Sequence, residues 1–306
     1  MGQVHAKSGG VLDLGNTPPL SVSYPIITPM RYALLLALAL VAKVNADPIP
    51  DEFRQNGWFV GCQAYTFNRF SAFEAIAKTK EAGGNLIEFY PGQTLKPGSK
   101  DKVSHTMSAE AMAELQAELK RQGVKAVNYG VVGARSEKDV NEIMAWAKKM
   151  GLYSVCTEST EMVAAWEKAA IENDIKVAFH EHGGSMSNPK YKVWNPLYIL
   201  GVVESRDKHL GACADLGHWC TSNLKPVECL RILNGRIISV HLKDKAANGG
   251  APVVVAGQGV VDVAACLEEL KKQKFDGHIS VEHEADWDNS VPQVKADIEF
   301  VKAHAK

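Results

Sequence analysis

Eight short runs of β-branched and apolar residues, separated by amphipathic stretches, recur along the chain after Asp47 and leave few folds open to it. The runs span roughly 58–66, 85–90, 124–131, 152–158, 175–182, 212–218, 236–243 and 278–284. A strand followed by a helix, repeated, builds a parallel sheet, because a parallel partner can be reached only by a crossover. The intervening segments carry helix punctuation. Ser71-Ala-Phe-Glu74 has the capping-box pattern, and Asp262 can cap a helix whose Val263, Cys266, Leu267 and Leu270 share one face. Gly123, Gly151, Gly211, Gly235 and Gly277 each stand between a helical pattern and a strand, where a left-handed cap turns the chain back. Eight βα units close into an α/β (β/α)8 TIM barrel; the rival, an open doubly wound sheet, lacks a G-x-G-x-x-G opening its first helix.

With 306 residues, and no composition shift after residue 47, positions 47–306 read as a single barrel domain. The ends are different. Residues 30–46 read as a signal peptide: Arg31 supplies the charge, 32–42 the apolar stretch, and Val44-Asn45-Ala46 the small-residue cleavage site. No cysteine follows to take a lipid, so the expectation is an exported protein, periplasmic or secreted, with no stable membrane anchor. Residues 1–29 precede a signal that belongs at the start of a chain, and are expected to be a non-native extension ahead of a true start at Met30. Thirty-four basic against 35 acidic residues leave no basic field for a nucleic acid. Six cysteines without a C-x-x-C pair suggest buried thiols, not a disulfide framework or thiolate zinc site.

In a barrel, the C-terminal ends of the strands face one cavity. Here the second run ends with Glu88, the fourth with Glu158, and the fifth with His180-Glu181-His182. The sixth ends with Asp215-Leu-Gly-His218, the seventh with His241-Leu-Lys243-Asp244, and the eighth with Glu282-His283-Glu284. One such residue is commonly a solvated strand end or a core histidine with a backbone partner. Several charged groups in one mouth repel unless a cation neutralises them. A mixed carboxylate and imidazole shell suits Mn²⁺ foremost, with Co²⁺, Mg²⁺ or Zn²⁺ as alternatives.

These motifs, in this order across the mature chain, resemble the xylose isomerase-like barrels, the sugar phosphate isomerase and epimerase group that includes ketose 3-epimerases and inosose dehydratases. The resemblance implies metal ligands at Glu158, Asp215, His241 and Glu282, with Glu158 and Glu282 as the catalytic pair on opposite faces of a sugar. It also implies that His182, His218, Lys243, Glu88 and His180 contact substrate, with Tyr65 and Trp219 as lower-ranked wall residues. His241-Leu-Lys243-Asp244 resembles the family's H-x-K-D, and Gly257-Gln-Gly259 its G-x-G stretch. His180-Glu181-His182 departs from the common E-N-H and permits an extra ligand. The implied activity is isomerisation or epimerisation of a free sugar or keto-sugar by α-proton abstraction. A lyase on 3-keto-glycosides and a non-catalytic carbohydrate-binding barrel remain as alternatives. The implied partner is a small carbohydrate, and a homo-oligomer is open.

Overall fold

The computed structural model describes residues 49–306; the expected extension and signal peptide lie outside them. Eight parallel strands close a barrel: β1 (Phe59–Gln63), β2 (Leu86–Phe89), β3 (Lys125–Tyr129), β4 (Ser154–Thr157), β5 (Lys176–His180), β6 (Leu210–Asp215), β7 (Ile237–Leu242) and β10 (His278–Val281). Each pairs with its sequence neighbour, and β10 returns to β1. A small antiparallel hairpin, β8 (Asp244–Lys245) with β9 (Val253–Val254), interrupts the last crossover, and the sequence reading did not anticipate it. Nine α-helices cover the described barrel: α1 (Ala72–Glu81), α2 (Ala109–Gln122), α3 (Glu137–Met150), α4 (Val163–Asn173), α5 (Pro196–Val203), α6 (Leu216–Thr221), α7 (Pro226–Ile232), α8 (Val263–Lys272) and α9 (Val291–Ala303). No helix among the described residues is long and apolar enough to cross a membrane.

The helix starts follow local chemistry. Ser71 Oγ accepts from Glu74 N while the Glu74 carboxylate accepts from Ser71 N at 2.8 Å, a reciprocal cap worth ~1 kcal/mol. Asp262 caps α8, and Val263, Cys266, Leu267 and Leu270 are buried against the wall. Gly123 and Gly151 adopt the expected left-handed caps. Gly211 and Gly277 do not. Each lies against a neighbouring strand, and a Cβ there would fall 2.2 Å from Arg236 O or 1.9 Å from Ile238 O, so close backbone approach explains the glycine. All six cysteines are buried and free.

Two apolar layers result. The larger fills the space between strands and helices, with Trp58, Trp166 and Trp219 among its fully buried side chains. The smaller gathers Phe59, Leu86, Val127, Tyr153, Cys156, Ala178, Cys213 and Ile238 from successive strands, capped by Ile49. Period-two alternation puts Phe59, Gly61 and Gln63 on one face of β1, and Gln63 lines the mouth, so this smaller layer plugs the barrel beneath the strand ends. The cost of opening that floor is the burial of its side chains, ~1.5–3 kcal/mol for each large one.

Candidate active site

Register decides which strand ends meet. Asp215 on β6 is the lateral partner of His241 on β7, and His241 is the partner of Ser280 on β10, just before Glu282. His180 on β5 pairs with Cys213, two residues before Asp215. Glu158 follows β4, one strand further round, where Thr157 pairs with Phe179.

The side chains converge on Asp215 Oδ2. His180 Nε2 lies 3.5 Å from it, His241 Nδ1 3.6 Å, and His218 Nε2 3.8 Å. His241 Nδ1 is also 3.3 Å from Glu282 Oε2. Asp215, His241 and Glu282 form one group of ligand atoms close enough for a single cation, and His180, Asp215 and His218 form another. His180 Nε2 and His241 Nδ1 are buried without an aligned hydrogen-bond partner, and Asp215 Oδ2, equally buried, has the Lys243 ammonium at 3.1 Å. Buried polar atoms short of aligned partners cost ~1–3 kcal/mol each, so nitrogen and oxygen atoms aimed at one point suit a shared ligand. The donor set therefore fits a divalent cation.

His241 and His180 are each fixed from behind by a carboxylate. His241 Nε2 donates to Glu88, 3.1 Å from both oxygens, and Ser280 Oγ donates to Glu88 Oε2 at 3.0 Å. His180 Nδ1 donates to Glu158 Oε1 at 3.1 Å, and Tyr191 Oη donates to Glu158 Oε2 at 2.8 Å. Such a pairing sets the tautomer and leaves the opposite nitrogen free for a metal. Two of the expected site residues stand behind these rings. Glu88, expected to contact substrate, is completely buried behind His241. The residue against Asp215 is His180, with Glu158 standing behind that ring, because β5 and not β4 is the neighbour of β6.

Lys243 is the fixed cation of the site. Its Nζ lies 3.1 Å from Asp215 Oδ2, 2.7 Å from Glu282 Oε2 and 2.7 Å from Glu284 Oε1, although the residue is only 3% exposed. Burial opposes ionisation of Asp215, yet the Lys243 ammonium 3.1 Å away holds its carboxyl well below the usual range. Burial likewise opposes Glu282, but the charges of Lys243 and His241 keep it ionised. Burial lowers the His218 pKa to about 3 and also lowers that of His182, so both rings are neutral. For His180 burial is outweighed by the carboxylates of Asp215 and Glu158, which raise it to about 9.

Above these groups is a cavity of about 370 Å³, lined by Gln63, Tyr65, Tyr90, His180, His182, His218, Glu282 and Glu284, among others. Its size lies in the range of small-molecule sites. Tyr65 stands 42% exposed at the rim, edge-on to Tyr90 and Trp287. Trp219, in contrast, is fully buried and donates to Glu181 Oε2 at 2.6 Å, a packing role. The sequence reading missed Glu284 as a site residue, although it stood in the quoted strand end. Tyr191 lies in an irregular loop and carried no signal.

Asp244 accounts for the rest of the H-x-K-D motif. Its buried carboxylate accepts from Lys245 N, Gly257 N, Gly259 N and Val261 N at 2.8–3.0 Å. It ties the glycine-containing loop to the end of β7. Gly259 has to be glycine because a Cβ would lie 2.3 Å from Asp244 Oδ1.

No curated protein matches the chain by sequence. A protein from Parabacteroides distasonis ATCC 8503 has a similar crystal structure, with TM-score 0.66 and 28% identity over 80% of this chain and 98% of that one. D-psicose 3-epimerase from Clostridium cellulolyticum H10, solved with D-tagatose, has TM-score 0.63 and 12% identity over 81% and 99% of the two chains. The IolI protein, solved with a zinc atom, has TM-score 0.63 and 15% identity over 81% and 99%. At those lower identities the likeness is one of fold. The sequence profile of the xylose isomerase-like TIM barrel matches residues 76–304, most of the barrel and all of its polar strand ends from Glu88 onward. With that match and a closed eight-stranded barrel, the chain belongs to the xylose isomerase-like TIM barrel family.

Proposed function

We propose that the protein is a divalent-metal-dependent enzyme that removes the proton α to a carbonyl of a free sugar or keto-sugar and returns one on the other face, as an isomerase or epimerase. The observation that carries this reading is the set of three buried ligand atoms, His180 Nε2, Asp215 Oδ2 and His241 Nδ1, converging beside Glu282. His180, Asp215, His241 and Glu282 would hold the ion. When bound there, it would polarise the sugar carbonyl and acidify the neighbouring C–H. Two imidazoles with two carboxylates bring Zn²⁺ and Co²⁺ level with Mn²⁺, ahead of Mg²⁺. The zinc in the IolI structure is in keeping with that order.

Glu282 is the base in this reading: it is ionised, faces the cavity and is oriented by Lys243. The Lys243 ammonium also offsets negative charge as it develops on the substrate oxygen. Glu284, on the same lysine and at the mouth, replaces Glu158 as the second carboxylate able to exchange a proton with substrate. Glu158 acts through His180 instead. The neutral rings of His182 and His218 are placed to hydrogen-bond sugar hydroxyls. The substrate is a small carbohydrate and the expected location is outside the cytoplasm, the latter resting on residues 30–46 alone.

A lyase reading uses the same site. With a glycosidic oxygen on the carbon next to the one deprotonated, the proton passes to Glu282, the freed pair forms C=C, and the C–O bond breaks. The departing alkoxide is then protonated. A second cavity beside Tyr191, walled in part by Met186, Trp194 and Leu197, favours this reading. Solvent deuterium incorporation into free ketoses and 3-keto-glycosides, followed by NMR with Mn²⁺ present, tests both. Exchange that is lost with chelator and in Glu282→Gln supports proton abstraction, and the product separates epimer from released aglycone. Tight metal binding with no exchange on any ketone would favour a binding protein.

A further inference from the structure

Between β5 and α5 the chain crosses residues 181–195 without regular structure, a length that in barrels commonly carries binding function. The loop is nonetheless anchored. Trp194 Nε1 donates to Tyr191 O at 3.0 Å, and Gly184 N donates to Ser222 Oγ at 3.0 Å. A Cβ on Gly184 would fall 2.4 Å from Trp194 Cδ1, so glycine seats the indole. Asn195 caps α5, with Pro196 at its first turn.

Loop and helix enclose a cavity of about 420 Å³ walled by Met186, Pro189, Tyr191, Trp194, Leu197 and Tyr198. Met186 and Leu197 stand 82% and 62% exposed, apolar groups held in water at its lip. Tyr191 joins this cavity to the metal-ligand cluster. Its hydroxyl donates to Glu158, and its ring lies edge-on, 6.3 Å from that of His182, which lines the other cavity. His182 and Tyr191 thus stand side by side, each lining one of the two cavities.

We infer that this second cavity is a subsite for a planar apolar group carried by the sugar, an aryl aglycone. The inference rests on the sugar-processing reading above and favours its lyase form, which acts on keto-glycosides. Tyr191, Trp194 and Tyr198 bring three aromatic side chains to the cavity, with Lys192 Nζ 5.7 Å from the Tyr198 ring centroid, and Met186 offers an adaptable thioether.

Tryptophan fluorescence titrations of the Mn²⁺-loaded protein with phenyl β-D-glucopyranoside and methyl β-D-glucopyranoside test it. The phenyl compound is expected to bind about tenfold more tightly, the return for burying one ring. In the double variant Met186→Ser/Leu197→Ser the ratio is expected to fall toward one, and the conservative pair Met186→Leu/Leu197→Met to retain it. Equal affinities in the wild type, or a phenyl preference that survives the serine variant, overturn the subsite while methyl glucoside binding leaves the sugar reading standing. Failure of both glucosides to bind overturns the subsite, and when deuterium exchange is absent as well the sugar reading falls separately. Sedimentation showing a dimer that the serine variant dissociates would assign the lip to a second copy of the chain and overturn it too.

Discussion

Replacing Glu88 by Gln separates the structural account of that residue from the one its sequence position suggests. The carboxylate is completely buried, touches His241 Nε2 with both oxygens at 3.1 Å, and accepts from Ser280. Gln preserves the volume and one acceptor but removes the charge that makes the opposite nitrogen a better donor to a cation. Loss of such an outer partner weakens metal binding ~10–100-fold, about 1.4–2.7 kcal/mol. With no solvent to screen the pair, Glu88→Gln belongs near the upper end, ~100-fold. Glu158→Gln is the internal comparison. That side chain is 29% exposed and shares its carboxylate with Tyr191, so the loss there should sit near ~10-fold. Calorimetric titration with MnCl₂ and ZnCl₂ reads both, with circular dichroism confirming the fold. Metal affinity within about twofold of wild type in a folded Glu88→Gln protein refutes the reasoning. A changed KM with unchanged metal affinity would instead return Glu88 to the substrate.

Three further outcomes follow from the same contacts. Lys243→Met leaves Asp215, Glu282 and Glu284 without their cation, so the metal-free protein should lose ~3–5 kcal/mol in denaturant titrations and gain more from added Mn²⁺ than wild type does. Asp244→Asn removes the charge that four backbone N–H groups share; a loss of ~2 kcal/mol and new protease cleavage within residues 257–261 should result, and unchanged proteolysis would contradict it. His209, between Asp174 and Asp207, opposes its partial burial through those hydrogen bonds and has a raised pKa. Its contribution is therefore complete below the unfolded value near 6.5 and is lost as pH rises through the higher folded value. Thermal stability measured from pH 6 to 9 should fall more steeply in wild type than in His209→Gln.

The barrel was readable because short apolar runs and helix caps recur along the chain, as the caps at Ser71 and Asp262 show. The end of β6 was not. The run was expected to continue to His218, yet Asp215 accepts from His218 N at 2.7 Å and starts α6. A six-residue helix is too short to print a 3.6-residue period, and a capping aspartate looks in sequence like any acidic strand end. Three of the four expected ligands, Asp215, His241 and Glu282, do come together. Glu158 stands off because ligand choice depends on which strands are lateral neighbours, a property of closure and register that no local pattern encodes. For the same reason Glu88 and Glu284 exchanged places: one faces inward beneath His241, the other reaches the mouth. Gly211 and Gly277 teach a parallel lesson, since close backbone packing and a helix cap both demand glycine at the same kind of boundary.

Anomalous diffraction at the manganese edge from crystals grown with MnCl₂ tests the central claim most directly. The account predicts one dominant peak within bonding distance, about 2.0–2.3 Å, of His180, Asp215, His241 and Glu282, with Glu158 behind His180. A peak bonded to Glu158 in place of His180, or no peak at this cluster, would contradict it.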